Sequence, residues 1–179
     1  MRNAIILHGA GETPNSFWFP YVRRELENKG YKVSIPQFPD TDNPEINKWL
    51  PVALKEKYDE DTIIIGHSAG CPLILSVLEN ITTKVKRVIL VAGYVTPLPE
   101  GANDILQKNY NWKKIKEHFR EIIFINSDND PWACDDKQGR TMFNNLGGTL
   151  IIRRSEGHMG SDRFNQPYKE FPFLLKFIE

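Results

Sequence analysis

Thr62-Ile63-Ile64-Ile65-Gly66-His67-Ser68-Ala69-Gly70 is the stretch on which the reading of this chain turns. Its first half is a continuous β-branched run that does not alternate apolar with polar residues, so a strand here is covered on both faces. Its second half is G-x-S-x-G, and a helix-compatible segment follows over 68–80. A strand that gives way at a glycine to a helix, with a serine on the corner, is the context in which this pentapeptide carries chemistry. Ser68 must hold a strained backbone conformation at the tip of the turn so that its hydroxyl projects from the sheet. Gly66 and Gly70 flank it because side chains there would collide where strand and helix approach. The helix then directs its amide end, with its partial positive charge, at any anion formed beside the hydroxyl.

Working outward, short β-rich runs at 3–8, 32–35, 62–66, 87–92, 121–126 and 149–153 alternate with helical patterns. Several runs are unbroken Ile, Val and Leu, the mark of a parallel sheet with helices on both sides. The segment 17–29 puts Phe17, Tyr21, Val22 and Leu26 on one stripe and charges on the other, as an amphipathic helix does. Segments 44–57, 68–80, 135–146 and 167–178 read the same way. Gly30 and the pair Gly147-Gly148 stand where helices should end before the next strand. The irregular segment is 93–111, with Pro97, Pro99 and Gly101: a loop with a short helix, or a small lid.

A serine hydroxyl is a weak nucleophile at neutral pH and needs a base. The four histidines are His8, His67, His118 and His158. His67 lies within the turn and faces the wrong way for its neighbour, His8 ends the first strand as a core histidine would, and His118 falls in a charge-rich amphipathic segment. His158 sits in a glycine-flanked loop after the last strand, from which it can reach the carboxyl ends of the strands, and it is the expected base. The orienting acid should come from the strand between, whose end reads Ser127-Asp128-Asn129-Asp130-Pro131. Asp130 is the choice because Pro131 favours an extended backbone before it; Asp128 is the alternative, and either could instead close an Asx turn. The chain order is then Ser68, Asp130, His158.

An acyl-transfer site also needs two backbone donors for the developing oxyanion. One is expected from Ala69, directly after the nucleophile. The other should come from His8-Gly9-Ala10-Gly11-Glu12 after the first strand, where the amide of Ala10 or Gly11 can approach a substrate. The same loop lacks both G-x-G-x-x-G and a Walker pattern, so a nucleotide reading is weak. Tyr94, Trp112 and Trp132 fall in or near loops expected at the carboxyl ends of the strands and are the candidates for an apolar acyl pocket. Cys71 and Cys134, the only cysteines, are too few for a disulfide framework or a zinc site and are read as structural.

The remaining composition narrows the function further. A chain of 179 residues is expected to be one domain. With 23 basic and 23 acidic residues its formal net charge is zero, so there is no global field to gather nucleic acid. No apolar run approaches the roughly 20 residues that span a bilayer, and the first run is too short for a secretory leader, so a cytoplasmic protein with no membrane partner is expected.

Taken together, these residues resemble a known family: the small serine hydrolases typified by retinoblastoma-binding protein 9, a compact branch of the α/β-hydrolase superfamily. The likeness runs through Ser16-Phe17-Trp18, Arg23-Arg24-Glu25-Leu26-Glu27, Trp49-Leu50-Pro51, Thr62 to Ser68, Trp112-Lys113-Lys114-Ile115-Lys116, Asp130-Pro131 and Gly157-His158. It implies a three-layer α/β sandwich whose six parallel strands lie in the order 2-1-3-4-5-6, and it carries the family's triad onto Ser68, Asp130 and His158. It implies hydrolysis of a small ester, thioester or amide with no cofactor or metal. The pocket-protein ligand pattern Leu-x-Cys-x-Glu is absent, so retinoblastoma binding is not implied. His8-Gly9-Ala10-Gly11 is also closer to the general hydrolase oxyanion loop than to the family's glycine run. A binding or scaffolding protein with vestigial activity is the alternative from another class, and an acyltransferase would share the same serine chemistry.

Overall fold

The computed structural model of the protein describes residues 2–178. Its six strands are β1 (Asn3–Leu7), β2 (Lys32–Ser34), β3 (Ile63–His67), β4 (Val85–Val91), β5 (Phe119–Ser127) and β6 (Thr149–Arg153). They form one parallel sheet in the order β2-β1-β3-β4-β5-β6. The helices are α1 (Phe19–Asn28), α2 (Ile46–Ala53), α3 (Gly70–Asn80), α4 (Trp112–Glu117), α5 (Asp136–Leu146) and α6 (Pro172–Leu175). This is the expected α/β-hydrolase order. Among the described residues, no helix is long and apolar enough to cross a membrane.

The unbroken apolar runs behave as their composition dictates. Every residue of β3 is buried, and so are the last four of β4, because helices cover both faces of the central strands. α3 is buried along almost its whole length, from Gly70 to Leu78, and its Pro72 is tolerated because the first turn has no intrahelical amide bond to lose. α1 turns Phe19, Val22 and Leu26 inward and ends against Gly30, whose φ of +81° suits glycine.

The strand order also fixes where a site can form. From β1 the chain steps outward to β2, then returns to place β3 on the other side of β1. The loops after β1 and β3 therefore diverge, and they leave a crevice at the carboxyl edge of the sheet. The loops after β5 and β6 open on the same edge.

The helices near the end of the chain and around 93–117 differ from the sequence reading. The last helix is four residues, Pro172–Leu175, rather than all of 167–178, because Pro172 occupies its first turn and cannot extend it backwards. A helix at Trp112–Glu117 had not been marked by any stripe long enough to register. The segment 93–111 carries no helix.

Candidate active site

β3 ends at His67, and the backbone turns at Ser68 with φ of +51°, a left-handed conformation unfavourable for a residue with a Cβ. The turn is held by the Ser68 amide donating to Val91 O at 3.0 Å and the Cys71 amide donating to Ser68 O at 2.9 Å. Its tightness explains the flanking glycines: a Cβ on Gly70 would come within 2.1 Å of Leu7 O, and one on Gly66 within 2.6 Å of Ile74 Cδ1. Ala69 caps α3 from its N-terminal side, fully buried, so its amide belongs to the first-turn set without an intrahelical acceptor.

Ser68 lines a cavity of about 370 Å³ together with Ala10, Glu12, Tyr94, Trp132 and His158. Phe17 and Leu98 add further apolar wall, and Asp42, Asp162 and Arg163 contribute polar groups. The Arg163 guanidinium lies 4.9 Å from the Trp132 ring centre and pairs with Glu100 at 3.1 Å, which joins the loop 93–111 to the loop after β6.

His158 and Asp130, both buried, meet at this cavity. His158 Nδ1 donates to Asp130 Oδ2 at 2.7 Å, and Asp130 Oδ1 accepts the Trp132 amide at 2.9 Å. Asp130 is thus both the partner of the histidine and an Asx-turn residue. The loop bearing His158 is pinned on several sides: its amide donates to Gln166 Oε1 at 2.8 Å, and the Trp18 indole donates to Met159 O at 3.0 Å. Asp128 faces outward and accepts the Ser155 amide at 2.8 Å, while Asn129 Oδ1 accepts the Gly157 amide at 2.8 Å. These bonds hold the loops after β5 and β6 together.

The remaining sequence candidates fall into two groups. Ala10, Tyr94 and Trp132 reach the cavity. Trp112 does not: it begins α4, packs against Tyr110 at 5.1 Å, and lies at the opposite edge of the sheet, where the neighbouring Asn111 amide donates to Glu79 near the end of α3. The reason is topological, since the segment after β4 must return to the amino edge before β5 can run parallel. Both cysteines are enclosed: Cys71 is buried with its thiol donating to Val91 O at 3.3 Å, and Cys134 is buried beside Asp130 and His158. Burial pushes both thiols well above their ordinary pKa, which keeps them protonated and unreactive.

The pairing of Glu12 with His67 is not legible in the sequence. Glu12 carries no motif, and the partner of His67 is 55 residues away. In the structure His67 Nδ1 lies 2.7 Å from Glu12 Oε1, deep under the turn at Ser68.

Comparison with known proteins places this geometry in a family. A family model described as serine hydrolase matches residues 4–176. The chain belongs to the serine hydrolase family. It is similar to serine hydrolase RBBP9 from Rattus norvegicus, with 30% identity over 164 residues that cover 89% of this chain and 87% of that protein. It is also similar to the protein YdeN from Bacillus subtilis strain 168, 27% identical over 72% of this chain and 71% of the other. The crystal structure of the ydeN gene product superposes with a TM-score of 0.91 at 23% identity, covering 99% of this chain and 97% of that one. Est1E from Butyrivibrio proteoclasticus, with ferulic acid bound, gives 0.70 at 12% identity over 98% of this chain and 89% of the other. These superpositions bear on the fold, and they agree with the α/β-hydrolase arrangement of this serine hydrolase.

Proposed function

We propose that the protein hydrolyses small carboxylic esters through an acyl-enzyme on Ser68, with His158 as general base and Asp130 orienting it. The observation that carries this reading is the 2.7 Å bond between His158 Nδ1 and Asp130, made at the wall of the cavity that Ser68 also lines. With Nδ1 committed to the carboxylate, Nε2 is left to accept the Ser68 proton. The Ser68 oxygen bonds to the substrate carbonyl carbon as its proton passes to His158, and the carbonyl electrons move onto oxygen. The proposal assigns that oxyanion to the amides of Ala69, at the start of α3, and Ala10, on the loop after β1. Collapse expels the alcohol, which takes the proton from His158. A water molecule then attacks the acyl carbon as His158 takes its proton, and collapse breaks the bond to Ser68, whose oxygen recovers that proton as the carboxylic acid leaves.

The cavity is near the lower end of the range for small-molecule sites, about 300–1,000 Å³, and its apolar wall of Phe17, Tyr94, Leu98 and Trp132 suits a short acyl or alkyl group. The substrate is thus read as a small acyl compound, with no macromolecular partner required. Two buried free thiols fit a reducing, cytoplasmic setting. The test is labelling with a fluorophosphonate probe beside p-nitrophenyl esters of graded chain length. A Ser68 adduct absent from Ser68→Ala, with turnover highest for the short esters, is the expected outcome. An unlabelled, correctly folded wild type would refute the hydrolase reading and return the fold to a binding role.

A further inference from the structure

His67 is fully buried between two hydrogen-bond acceptors. Its Nδ1 lies 2.7 Å from Glu12 Oε1, and its Nε2 lies 2.9 Å from the carbonyl oxygen of His158. A carbonyl has no proton to give, and neither has an ionised carboxylate, so with Glu12 ionised both ring nitrogens donate, and only the imidazolium can do that. Glu12 is itself 5% exposed, and its second oxygen accepts the Gly9 amide at 2.5 Å. Three bonds therefore run from the loop after β1, through a carboxylate and an imidazolium, to the backbone of His158.

The mechanism above uses neither group, yet both lie against it. A Cβ on Gly9 would stand 2.8 Å from Ser68 Cβ and 2.9 Å from Glu12 Oε1, so the Glu12 carboxylate is within a side chain's breadth of the nucleophile. It also lines the reaction cavity. A bare carboxylate at that place would oppose the negative charge that develops on the substrate oxygen, most strongly in a site shielded from water.

We infer that Glu12 and His67 form a buried ion pair that positions the acyl-transfer site, holding the loop after β1 and the His158 loop at a fixed spacing across Ser68 while the His67 cation cancels the Glu12 charge. The catalytic consequence rests on the reading of Ser68, Asp130 and His158 proposed above; the ion pair itself stands on its own geometry.

The groups facing His67 agree with this. Besides Glu12, they are His8 at the end of β1, Asp130 on the loop after β5 and the His158 ring at 4.9 Å, set among the edges of Phe17, Trp18 and Phe19. Burial is the largest influence on His67 and works against the cation. The charge and hydrogen bond of Glu12, the His158 carbonyl and Asp130 outweigh it, and the pKa rises above 6.5. A neutral His8 completes the balance: its Nε2 accepts the Phe38 amide at 3.3 Å, its Nδ1 donates to Gly9 O at 2.9 Å, and burial lowers its pKa.

The test reads charge and rate separately. Imidazole nitrogen NMR on the full chain, with His67 assigned by its loss in His67→Gln, is expected to show both ring N–H groups and cationic nitrogen shifts at pH 7 to 8. A neutral tautomer at pH 7 would overturn the ion pair. In steady-state hydrolysis of p-nitrophenyl acetate, His67→Gln strands the carboxylate, and kcat is expected to fall at least about tenfold, the scale of one unit charge acting over several ångströms in a protein interior. KM should change little. The double variant Glu12→Gln/His67→Gln removes the stranded charge and should regain most of that loss; a double variant no faster than His67→Gln would reduce the pair to packing and overturn the inference. Should His67→Gln fail to fold, Glu12→Gln takes its place, because the replacement amide can accept from Gly9 through its oxygen and donate through its nitrogen to Nδ1 of a neutral His67. His67 then becomes neutral in the NMR spectrum, and a cation that persists in Glu12→Gln would refute the pairing. If the cation is found but Ser68 takes no probe, the ion pair stands and the hydrolase reading fails.

Discussion

Asp130 Oδ2 stands 2.7 Å from Nδ1 of His158, whereas Asp128, two residues earlier, accepts the Ser155 amide at 2.8 Å. The two carboxylates of one strand-end loop thus divide the work: one meets the His158 ring, the other ties two loops together. Asp130→Asn should lower kcat by about 10³–10⁴-fold, because an Asn amide facing Nδ1 makes that nitrogen an acceptor and places the proton on Nε2, where Ser68 needs a lone pair. Asp128→Ala should leave turnover within a few-fold and lower the melting temperature instead. Equal rate losses in the two variants, measured under saturating ester, would refute this division. Pro131 favours Asp130 over Asp128 in the sequence, and it is Asp130 that meets His158. The partner of His67 was not legible, because nothing local to Glu12 marks it as the residue that meets the turn at Ser68.

At the scale of elements, α3 does most to fix the site, since its start supplies the turn at Ser68 and the amide of Ala69. It can approach β1 this closely only because Gly70 has no side chain, a Cβ there falling 2.1 Å from Leu7 O. Gly70→Ala should therefore destabilise the fold by about 1–3 kcal/mol, as overpacking does, and should slow turnover because α3 must move away from β1. A urea midpoint and a kcat both equal to wild type would show that the helix yields freely. The strands were legible in their apolar centres and less so at their ends. β4 begins at Val85 and β5 at Phe119, earlier than the apolar runs suggested, because Val85 pairs with Phe119 and Arg87 with Glu121 across the ladder. Lys86 and Arg120, the charged residues that separate Val85 and Phe119 from those runs, interrupt the apolar trace while the strands continue through them.

For the whole molecule, two buried histidines give stability opposite dependences on pH. His67 has a folded pKa raised above 6.5, so its contribution is complete below 6.5 and is lost as pH rises through the folded value. His8 has a folded pKa lowered below 6.5, so its contribution is complete above 6.5 and is lost as pH falls from there toward the folded value. Urea unfolding followed between about pH 5 and pH 9 should accordingly give a maximum, with a decline on each side. Glu12→Gln should flatten the alkaline decline and leave the acid one. Persistence of the alkaline slope in that variant would assign it to another group. The same global arrangement explains why Trp112, a plausible pocket residue in the sequence, lies elsewhere: a parallel crossover returns every connecting segment to the amino edge, and Trp112 comes late in its segment.

The sequence by itself determined the parallel sheet, through apolar runs too continuous to leave either face wet, and the nucleophile turn, through glycines that only a tight strand–helix corner requires. It also singled out Asp130 and His158 as residues of the strand-end loops, and the structure brings their side chains together. Only the tertiary structure decided which residues meet across long separations: Glu12 with His67, Trp18 with Met159, Trp132 with the cavity and Trp112 away from it. Local patterning records which face of an element is buried. The contact between two loops depends instead on strand order and register, which arise from the packing of the whole chain.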